Sequence, residues 1–394
     1  MKKSLYLGII ALAAMTMTSC ENDDFLEGVP QKSAIQFGTY LGRDVQGRAT
    51  VLDNTNLNDF GVFAYYTGQN TFVYADKPNF MFNQEVARTN TNGTWSNWSY
   101  SPVKYWPTTK NDKISFFAYA PYEGKMNGAI KVVSTNDNAG VPKIKYTINP
   151  AYLTEAEDFT TDVLVDEVRS GDNNSIDSQD RGVNFSFRHE LTRVGIKAKL
   201  DRDAFINEGA AHKTMVNVKK IEFGGTAFAT EATYSFDVND NQRGSWELGS
   251  QNATLDIANL LNTTNAPFGA TNGYQEFGIR LYDDDQKNLF IANHYLFLIP
   301  TNGVNGTNAE GDVTITVSYD IVTWDASLKE GHSVTPAVKR FYLPEEALAQ
   351  GKAYNYIFTF GLNEIKLSAS VLDWDSELPV YDDVDWTIAD VPQN

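Results

Sequence analysis

The stretch "YWPTTKNDKISFFAYAP" (residues 105–121) decides the fold class. Its second half, residues 113–120, is a short apolar run rich in aromatic residues and bounded by a polar segment and Pro121, which is the pattern of a β-strand. Clusters of Asn, Gly, Asp and Thr, which are typical of turns, separate it from the other runs. Similar runs recur along the chain at residues 61–67, 183–187, 193–200, 294–299, 312–322 and 355–362. The sequence therefore predicts an all-β protein made of sandwiches rather than a parallel α/β sheet.

Helix patterns are few in this sequence. Residues 343–351 combine Pro344 near the start, two acids in the first turn and a closing glycine, so they predict one short helix. Residues 250–262 are expected to hold another turn or two of helix. The prediction is thus an all-β fold with few short helices.

The first 19 residues have the pattern of a signal peptide. Two lysines precede an apolar run at residues 5–15, and this run is shorter than the roughly 20 residues of a membrane-spanning helix. The residues before Cys20 resemble the lipobox of bacterial lipoproteins, with Met17 where leucine is usual, and the acidic "ENDD" behind it resembles the surface-export sequences of Bacteroidetes lipoproteins. The resemblance implies a lipidated Cys20 that attaches the precursor to the outer membrane. The alternative is an ordinary signal peptide with an incidental cysteine.

Composition argues against binding to nucleic acid and to anionic lipid, and it indicates how the fold is stabilised. The formal net charge of -18 repels phosphate backbones and anionic lipid headgroups, so no nucleic acid partner is predicted. A single cysteine allows no disulfide within the chain, and stability must come from burial, for which 23 Phe, 20 Tyr and 7 Trp supply the material.

No catalytic, cofactor or metal motif stands out. The sequence has no G-x-S-x-G elbow, H-E-x-x-H motif, P-loop or dinucleotide fingerprint. Four scattered histidines argue against a histidine metal site. Residues 237–247 resemble a calcium loop but lack its glycine and glutamate, and the acidic turn at residues 282–286 is more typical of a solvated tip. The prediction is a protein that is not an enzyme and has no cofactor and no metal site.

Four collinear segments resemble the fimbrillin-like proteins of Bacteroidetes. They are the Trp-Pro turn and aromatic strand of residues 105–121, "DVLV" at 162–165, "FSFRHELTRVGIKAKL" at 185–200, and the closing strands and tryptophan at 351–375. The resemblance implies a lipoprotein subunit of a type V fimbria that polymerises at the cell surface. It also implies two transthyretin-like (Greek-key) β-sandwich domains in tandem.

A charged, Ser/Asn/Asp-rich stretch at residues 166–182 predicts the boundary between these domains. The chain then divides into a signal peptide (1–19), an N-terminal segment with a removable first strand (20–48), an N-terminal sandwich (49–182), a C-terminal sandwich (183–379) and a donor-strand tail (380–394).

The resemblance implies that an arginine-directed protease cuts between the first strand and the remaining chain. Arg48 is the preferred site because small residues follow it in a glycine-rich stretch, and Arg43 is the alternative. The strand ahead of the cut, residues 32–40, alternates so that Ile35 and Phe37 share one face. Its departure is expected to leave an apolar groove.

The tail offers a replacement strand, because Val384, Trp386 and Ile388 alternate with polar or small residues. Donated to a neighbour, it predicts a homopolymer with possible tip and anchor subunits as further partners; the alternative is a tail that packs on its own C-terminal domain. Position in the fibre as stalk, tip or anchor subunit stays open. So does a different function, a glycan-binding lipoprotein of the outer membrane.

Overall fold

Residues 113–120, the aromatic run that predicts the fold class, form a strand in the middle of a six-stranded sheet. The computed structural model of the chain describes residues 33–41, 57–109, 112–123, 129–148, 164–168, 182–201, 214–237, 244–264, 274–290, 295–301, 313–325, 327–344, 347–361 and 364–373. Its strands in chain order are β1 (Phe37–Leu41), β2 (Asp59–Gly68), β3 (Met81–Ala87), β4 (Asn90–Thr91), β5 (Thr94–Trp95), β6 (Lys113–Ala120), β7 (Ile130–Val132), β8 (Lys143–Thr147), β9 (Leu164–Val168), β10 (Val183–His189), β11 (Thr192–Leu200), β12 (Thr214–Gly224), β13 (Glu231–Ser235), β14 (Ser245–Leu248), β15 (Leu255–Asp256), β16 (Ile279–Leu281), β17 (Lys287–Asn288), β18 (Leu296–Leu298), β19 (Thr314–Trp324), β20 (His332–Tyr342), β21 (Lys352–Phe360) and β22 (Ile365–Asp373). The all-β prediction is confirmed.

The described strands form four sheets of four or more strands. Sheet A has the order β1-β10-β9-β6-β2-β3, and sheet B has the order β14-β13-β8-β7. Sheet C has the order β17-β11-β21-β22, with β18 also on β11, and sheet D has the order β15-β12-β19-β20, with β16 also on β12. Strands β4 and β5 form a separate small hairpin.

Sheet A is buried on both faces, which explains why β2 and β6 are almost continuously apolar. On one face Phe63 and Phe117 join a large apolar cluster that runs through sheets B, C and D. On the other face Phe60 and Phe116 belong to a smaller cluster, which also contains Ile35 and is defined here as the groove cluster. The two clusters share no buried residue.

Sheets A and B pack face to face, as do sheets C and D. The ring of Phe117 on β6 lies 5.5 Å from that of Phe236, which follows β13. In the second pair, Phe341 on β20 contacts Phe358 on β21 with ring centroids 5.5 Å apart. Contacts between aromatic rings therefore help to join the facing sheets, as the composition indicates.

Strand pairing crosses the boundary predicted at residues 182 and 183. Strand β10 pairs with β1 and β9 in sheet A, and β13 pairs with β8 in sheet B. Strand β9 also takes the first three residues of the stretch expected to be a linker, 166–168. The charge of that stretch indicated exposure, but composition does not show which sheet the next strand joins. The domain limits themselves stay predictions.

The helix predicted at residues 343–351 is not found among the residues of that stretch that the structure describes. They form turns, in which the Ala347 N–H donates to the Pro344 carbonyl at 3.0 Å and Leu348 has a φ of 62°. A left-handed residue cannot continue a right-handed helix. In the other expected stretch a 3-10 turn spans Ala258–Leu260.

Candidate functional site

The candidate site is the edge of sheet A where residues 33–41, the first-strand segment, lie. Its beginning pairs with residues 104–106: the Ile35 N–H donates to the Lys104 carbonyl at 2.9 Å, and the Trp106 N–H donates to the Ser33 carbonyl at 3.0 Å. Beyond that point β1 pairs with β10 in the parallel direction, from Phe37 opposite Val183 to Leu41 opposite Phe187. The segment thus joins two pieces of chain that are distant in sequence.

Ile35 and Phe37 fill the groove cluster from this edge. Their side chains are 1% and 8% exposed, and they lie two positions apart in the sequence, as the alternation predicted. The ring of Phe37 touches four others, with centroids 6.2 Å from Phe60, 5.2 Å from Tyr100, 6.1 Å from Phe116 and 5.9 Å from Phe185. Phe37 is therefore enclosed by aromatic side chains from β2, β6, β10 and the loop before residue 106.

Tyr100 ties the segment to that loop. Its hydroxyl donates to the Ile35 carbonyl at 2.9 Å and accepts from the Lys104 N–H at 3.3 Å. Burial raises the pKa of Tyr100 above its ordinary value, so the hydroxyl stays protonated and able to donate at pH values above the pKa of an exposed tyrosine. Tyr100 is a site residue that sequence reasoning missed, because it lies in an irregular loop without periodicity.

Arg88 closes the far side of the groove cluster. Its guanidinium lies 4.2 Å from the ring centroid of Trp95 and 4.4 Å from that of Trp98, and its Nε donates to the Leu57 carbonyl at 2.9 Å. Burial lowers the pKa of Arg88 from its ordinary value. Trp98 in turn contacts Phe60 with ring centroids 4.8 Å apart, so its indole lies between Arg88 and the groove cluster.

The structure brings together two of the residues predicted for the site, Ile35 and Phe37. The other predicted residues lie outside the described residues: Cys20, Arg43, Arg48, Val384, Trp386 and Ile388. Phe185 is a lining residue that the alternating "VNFSF" pattern could have indicated, since it shares a face with Val183 and Phe187. Its pairing with the first strand could not be predicted, because the two are about 150 positions apart in a sequence whose strands have many possible neighbours.

Neither a metal cluster nor a membrane-spanning helix is found in the part of the chain that the structure describes. That part holds no group of three or more His, Cys, Asp or Glu residues that could bind a metal ion. Its helices include none long and apolar enough to cross a membrane.

The chain matches a family model, a curated relative and a solved structure over most of its length. The family model described as fimbrillin-like matches residues 47–374. The chain is 30% identical over 380 residues to the fimbrium subunit Fim1C of Phocaeicola vulgatus, which covers 91% of this chain and 93% of the relative. Among solved structures, a fimbrial protein from Bacteroides vulgatus superposes with a TM-score of 0.66 and 26% identity, over 87% of this chain and 99% of that one.

Proposed function

Because the chain belongs to the fimbrillin-like family of fimbrial subunits, we propose that it is the stalk subunit of a cell-surface type V fimbria. In this proposal the precursor is exported as a lipoprotein through Cys20, and an arginine-directed protease then removes its N-terminal segment. Subunits join when the tail of one replaces the first strand of the next. The observation that carries the proposal is the first-strand segment, which lies at a sheet edge and fills an aromatic groove.

The position of β1 makes its removal feasible. Among the described strands, β1 has β10 as its one neighbour, so its departure breaks this pairing and the short pairing with residues 104–106 while β10, β9, β6, β2 and β3 stay joined. The β1–β10 pairing is parallel, and parallel pairs are slightly less stable per residue than antiparallel ones.

What remains after removal is a surface that needs a new strand. Ile35 and Phe37 are buried, and at about 1.5–3 kcal/mol for each buried side chain their loss removes roughly 3–6 kcal/mol of apolar burial. The rings of Phe60, Phe116 and Phe185 would face water, beside unpaired backbone groups of β10. Such a groove selects an extended segment with apolar residues at a period of two.

The tail has that pattern. Val384, Trp386 and Ile388 repeat at the same period of two as Ile35 and Phe37, and the tail follows β22, which ends at Asp373. Donation to a neighbour is a heterologous contact, so it propagates as a filament and does not close. Tip and anchor subunits would then be partners at the two ends of the fibre.

The cut is proposed after Arg48, with Arg43 as the alternative. Both arginines lie between the end of β1 at Leu41 and the start of β2 at Asp59. A cut there separates the first strand and the lipidated Cys20 from the two sandwiches, which releases the subunit from the outer membrane and opens the groove in one step.

The described tryptophans give the glycan-binding alternative little support. Carbohydrate platforms need open aromatic faces, whereas Trp95 and Trp98 each present a face to Arg88. Among the described residues, no tryptophan belongs to the exposed large apolar side chains.

The experiment that tests the proposal combines N-terminal sequencing of filaments with a truncation. Filaments purified from cells should begin at Ala49, and subunits lacking residues 380–394 should be secreted and cut but remain monomeric. The matched variant Trp386→Asp with Ile388→Asp keeps the tail length and should also fail to assemble. Filaments that begin at Cys20, or normal filaments from the truncated subunit, would refute the mechanism, and immunogold labelling at one filament end only would refute the stalk position.

A further inference from the structure

Phe277 is exposed over 65% of its surface, yet the backbone that carries it is tightly held. Asn217, which is fully buried on β12, donates one amide hydrogen to the Phe277 carbonyl at 3.2 Å and the other to the Tyr274 hydroxyl at 2.7 Å. The Tyr274 hydroxyl donates to Asp320 on β19 at 2.5 Å, and Lys219 pairs with Asp320 at 2.8 Å. Residues 274–278 are thereby fixed across the outer face of sheet D.

Gly278 shows how closely this segment sits on the sheet. A Cβ atom at Gly278 would lie 2.3 Å from Asn217 Oδ1 and 2.5 Å from its Nδ2, so a side chain there cannot be accommodated without moving a buried amide. Asn217 is anchored by its own hydrogen bonds and cannot move freely. Phe277 is therefore presented by a pre-organised segment, and an exposed aromatic on such a segment is typical of an interface anchor.

Phe277 lies at the end of sheets C and D that is remote from the β10–β11 connection. Strands β11 and β21 start beside the β10–β11 connection, where the Gly351 N–H donates to the Leu191 carbonyl, and they run in parallel to Leu200 and Phe360. Tyr319 contacts Phe360 at 5.1 Å, so the segment of β19 that follows it, with Asp320, extends past the end of β21. Phe277 lies over this extension, together with the exposed Glu276.

A surface complementary to Phe277 and Glu276 lies at the end of sheet A that is remote from the β10–β11 connection. Val103 and Tyr105 are each 48% exposed, and Lys104 between them is half-buried, with its ammonium 5.6 Å from the ring centroid of Phe80. Although the chain has a net charge of -18, residues 101–113 contain three lysines and one aspartate. This surface is remote from the β10–β11 connection, because residues 104–106 pair with the start of the first-strand segment, which adjoins the Val183 end of β10.

We propose that Phe277 and Glu276 of one subunit dock on Val103, Lys104 and Tyr105 of the next copy of the chain. A second copy of the chain fits residues 103–105 because Phe277 is an apolar anchor beside an acid, whereas Val103 and Tyr105 are an apolar pair beside a lysine. This complementarity matters in a strongly acidic protein, whose copies otherwise repel one another. The inference rests on the proposed function, because it takes neighbouring copies to meet end to end. Under this proposal, neighbouring subunits are joined by a contact between their folded domains as well as by the donated strand.

The docking surface is coupled to the maturation step. The backbone groups of Lys104 and Trp106 are those that bind the first-strand segment. Removal of that segment frees them, and the arriving strand pairs with them again. The donated tail belongs to the 21 residues after Asp373, which pairs with Lys352 at the β10–β11 end of sheet C, so these residues would run back along the sheet before they enter the neighbour that Phe277 contacts. At about 3.3 Å per residue an extended segment of this length is long enough for one subunit to make both contacts with the same neighbour.

Cysteine pairs test the contact directly, because the chain has no cysteine other than Cys20, which the proposed cut removes. Filaments with Phe277→Cys and Tyr105→Cys, treated with a short thiol cross-linker, should give a ladder of covalent oligomers. The control pair, Val338→Cys with Tyr105→Cys, uses a side chain that is 66% exposed on β20 and should give no ladder. Filaments of normal appearance without a Phe277–Tyr105 ladder overturn the docking contact alone, whereas absence of filaments from the wild-type chain overturns the proposed function.

Charge reversal provides an independent test. Glu276→Lys and Lys104→Glu should each slow polymerisation of the cut subunit by about three- to tenfold at low salt, and the double variant should recover most of the rate. Equal rates for the wild type and both single variants, or a double variant slower than either one, contradict the pairing of these two surfaces.

Discussion

Replacing Phe37 by alanine should destabilise the uncut chain without changing the filament. Phe37 is 8% exposed and touches four aromatic rings at 5.2–6.2 Å, so its truncation leaves a cavity that rigid rings cannot fill. Burial of a phenylalanine of this kind contributes about 3–5 kcal/mol, and the edge position favours the lower end. We expect the free energy of unfolding of the uncut chain to fall by about 3 kcal/mol.

The assay is urea unfolding of the chain from residue 21 onward, followed by tryptophan fluorescence. Trp106 belongs to the groove cluster and Trp98 packs against it, so their emission reports on this region. With a denaturant dependence of about 2 kcal/mol per molar, the transition midpoint should fall by about 1.5 M. The control is Phe277→Ala, the same change at a 65% exposed position, which should alter stability by less than about 0.5 kcal/mol.

The same variant tests whether the strand leaves. If the cut removes residue 37, filaments of Phe37→Ala should dissociate at the same urea concentration as wild-type filaments. A midpoint shift below about 0.3 M in the uncut chain would show that Phe37 does not hold the groove together. Filaments weakened to the same extent as the precursor would show that the first strand is still in place after assembly.

Two further substitutions test Tyr274 on sheet D and Trp246, which joins β14 to the β10–β11 connection. Burial, and after it the hydrogen bond to Asp320, raises the pKa of Tyr274. Tyr274 therefore stabilises the fold at pH values below its ordinary pKa near 10, and this contribution is lost as the pH rises. In Tyr274→Phe the free energy of unfolding should fall less steeply at alkaline pH, by about 1.4 kcal/mol per pH unit. An unchanged alkaline slope in urea unfolding between pH 10 and 11.5 contradicts this. Trp246→Phe should cost about 2–4 kcal/mol in thermal unfolding, since the buried indole N–H donates to the Glu190 carbonyl at 2.8 Å, and Trp95→Phe, at a half-buried ring, is its control. Equal losses for the two variants contradict a special role for the buried hydrogen bond.

Local patterns predicted the strands well because burial on both faces leaves a clear trace in the sequence. Residues 113–120 and 193–200, predicted from aromatic content and alternation, correspond to β6 and most of β11. The helix predicted at residues 343–351 failed for a tertiary reason. Leu348 is fully buried with a positive φ, so packing against the core outweighs the helix preference of the local residues.

Half of the groove could be predicted from sequence and half could not. The alternation of Ile35 and Phe37 identified the side chains that fill it, since a strand with one apolar face must bury that face. The lining required knowledge of long-range pairing: Phe185 and Tyr100 come from segments whose neighbours no local pattern specifies. The parallel direction of β1 on β10 likewise depends on the path of the chain around the sheet, not on residue types.

The separation of the two apolar clusters supports the proposed removal of the first strand. The large cluster extends from sheet A through sheets B, C and D and contains no residue of the first-strand segment. The groove cluster alone contains Ile35 and Phe37. Removal of the segment therefore exposes one face of sheet A while the opposite face keeps its packing on sheet B, so the subunit can open its groove without losing its main core. In a single continuous core, the proposed loss of the first strand would instead disturb the packing of the side chains that hold the other sheets together.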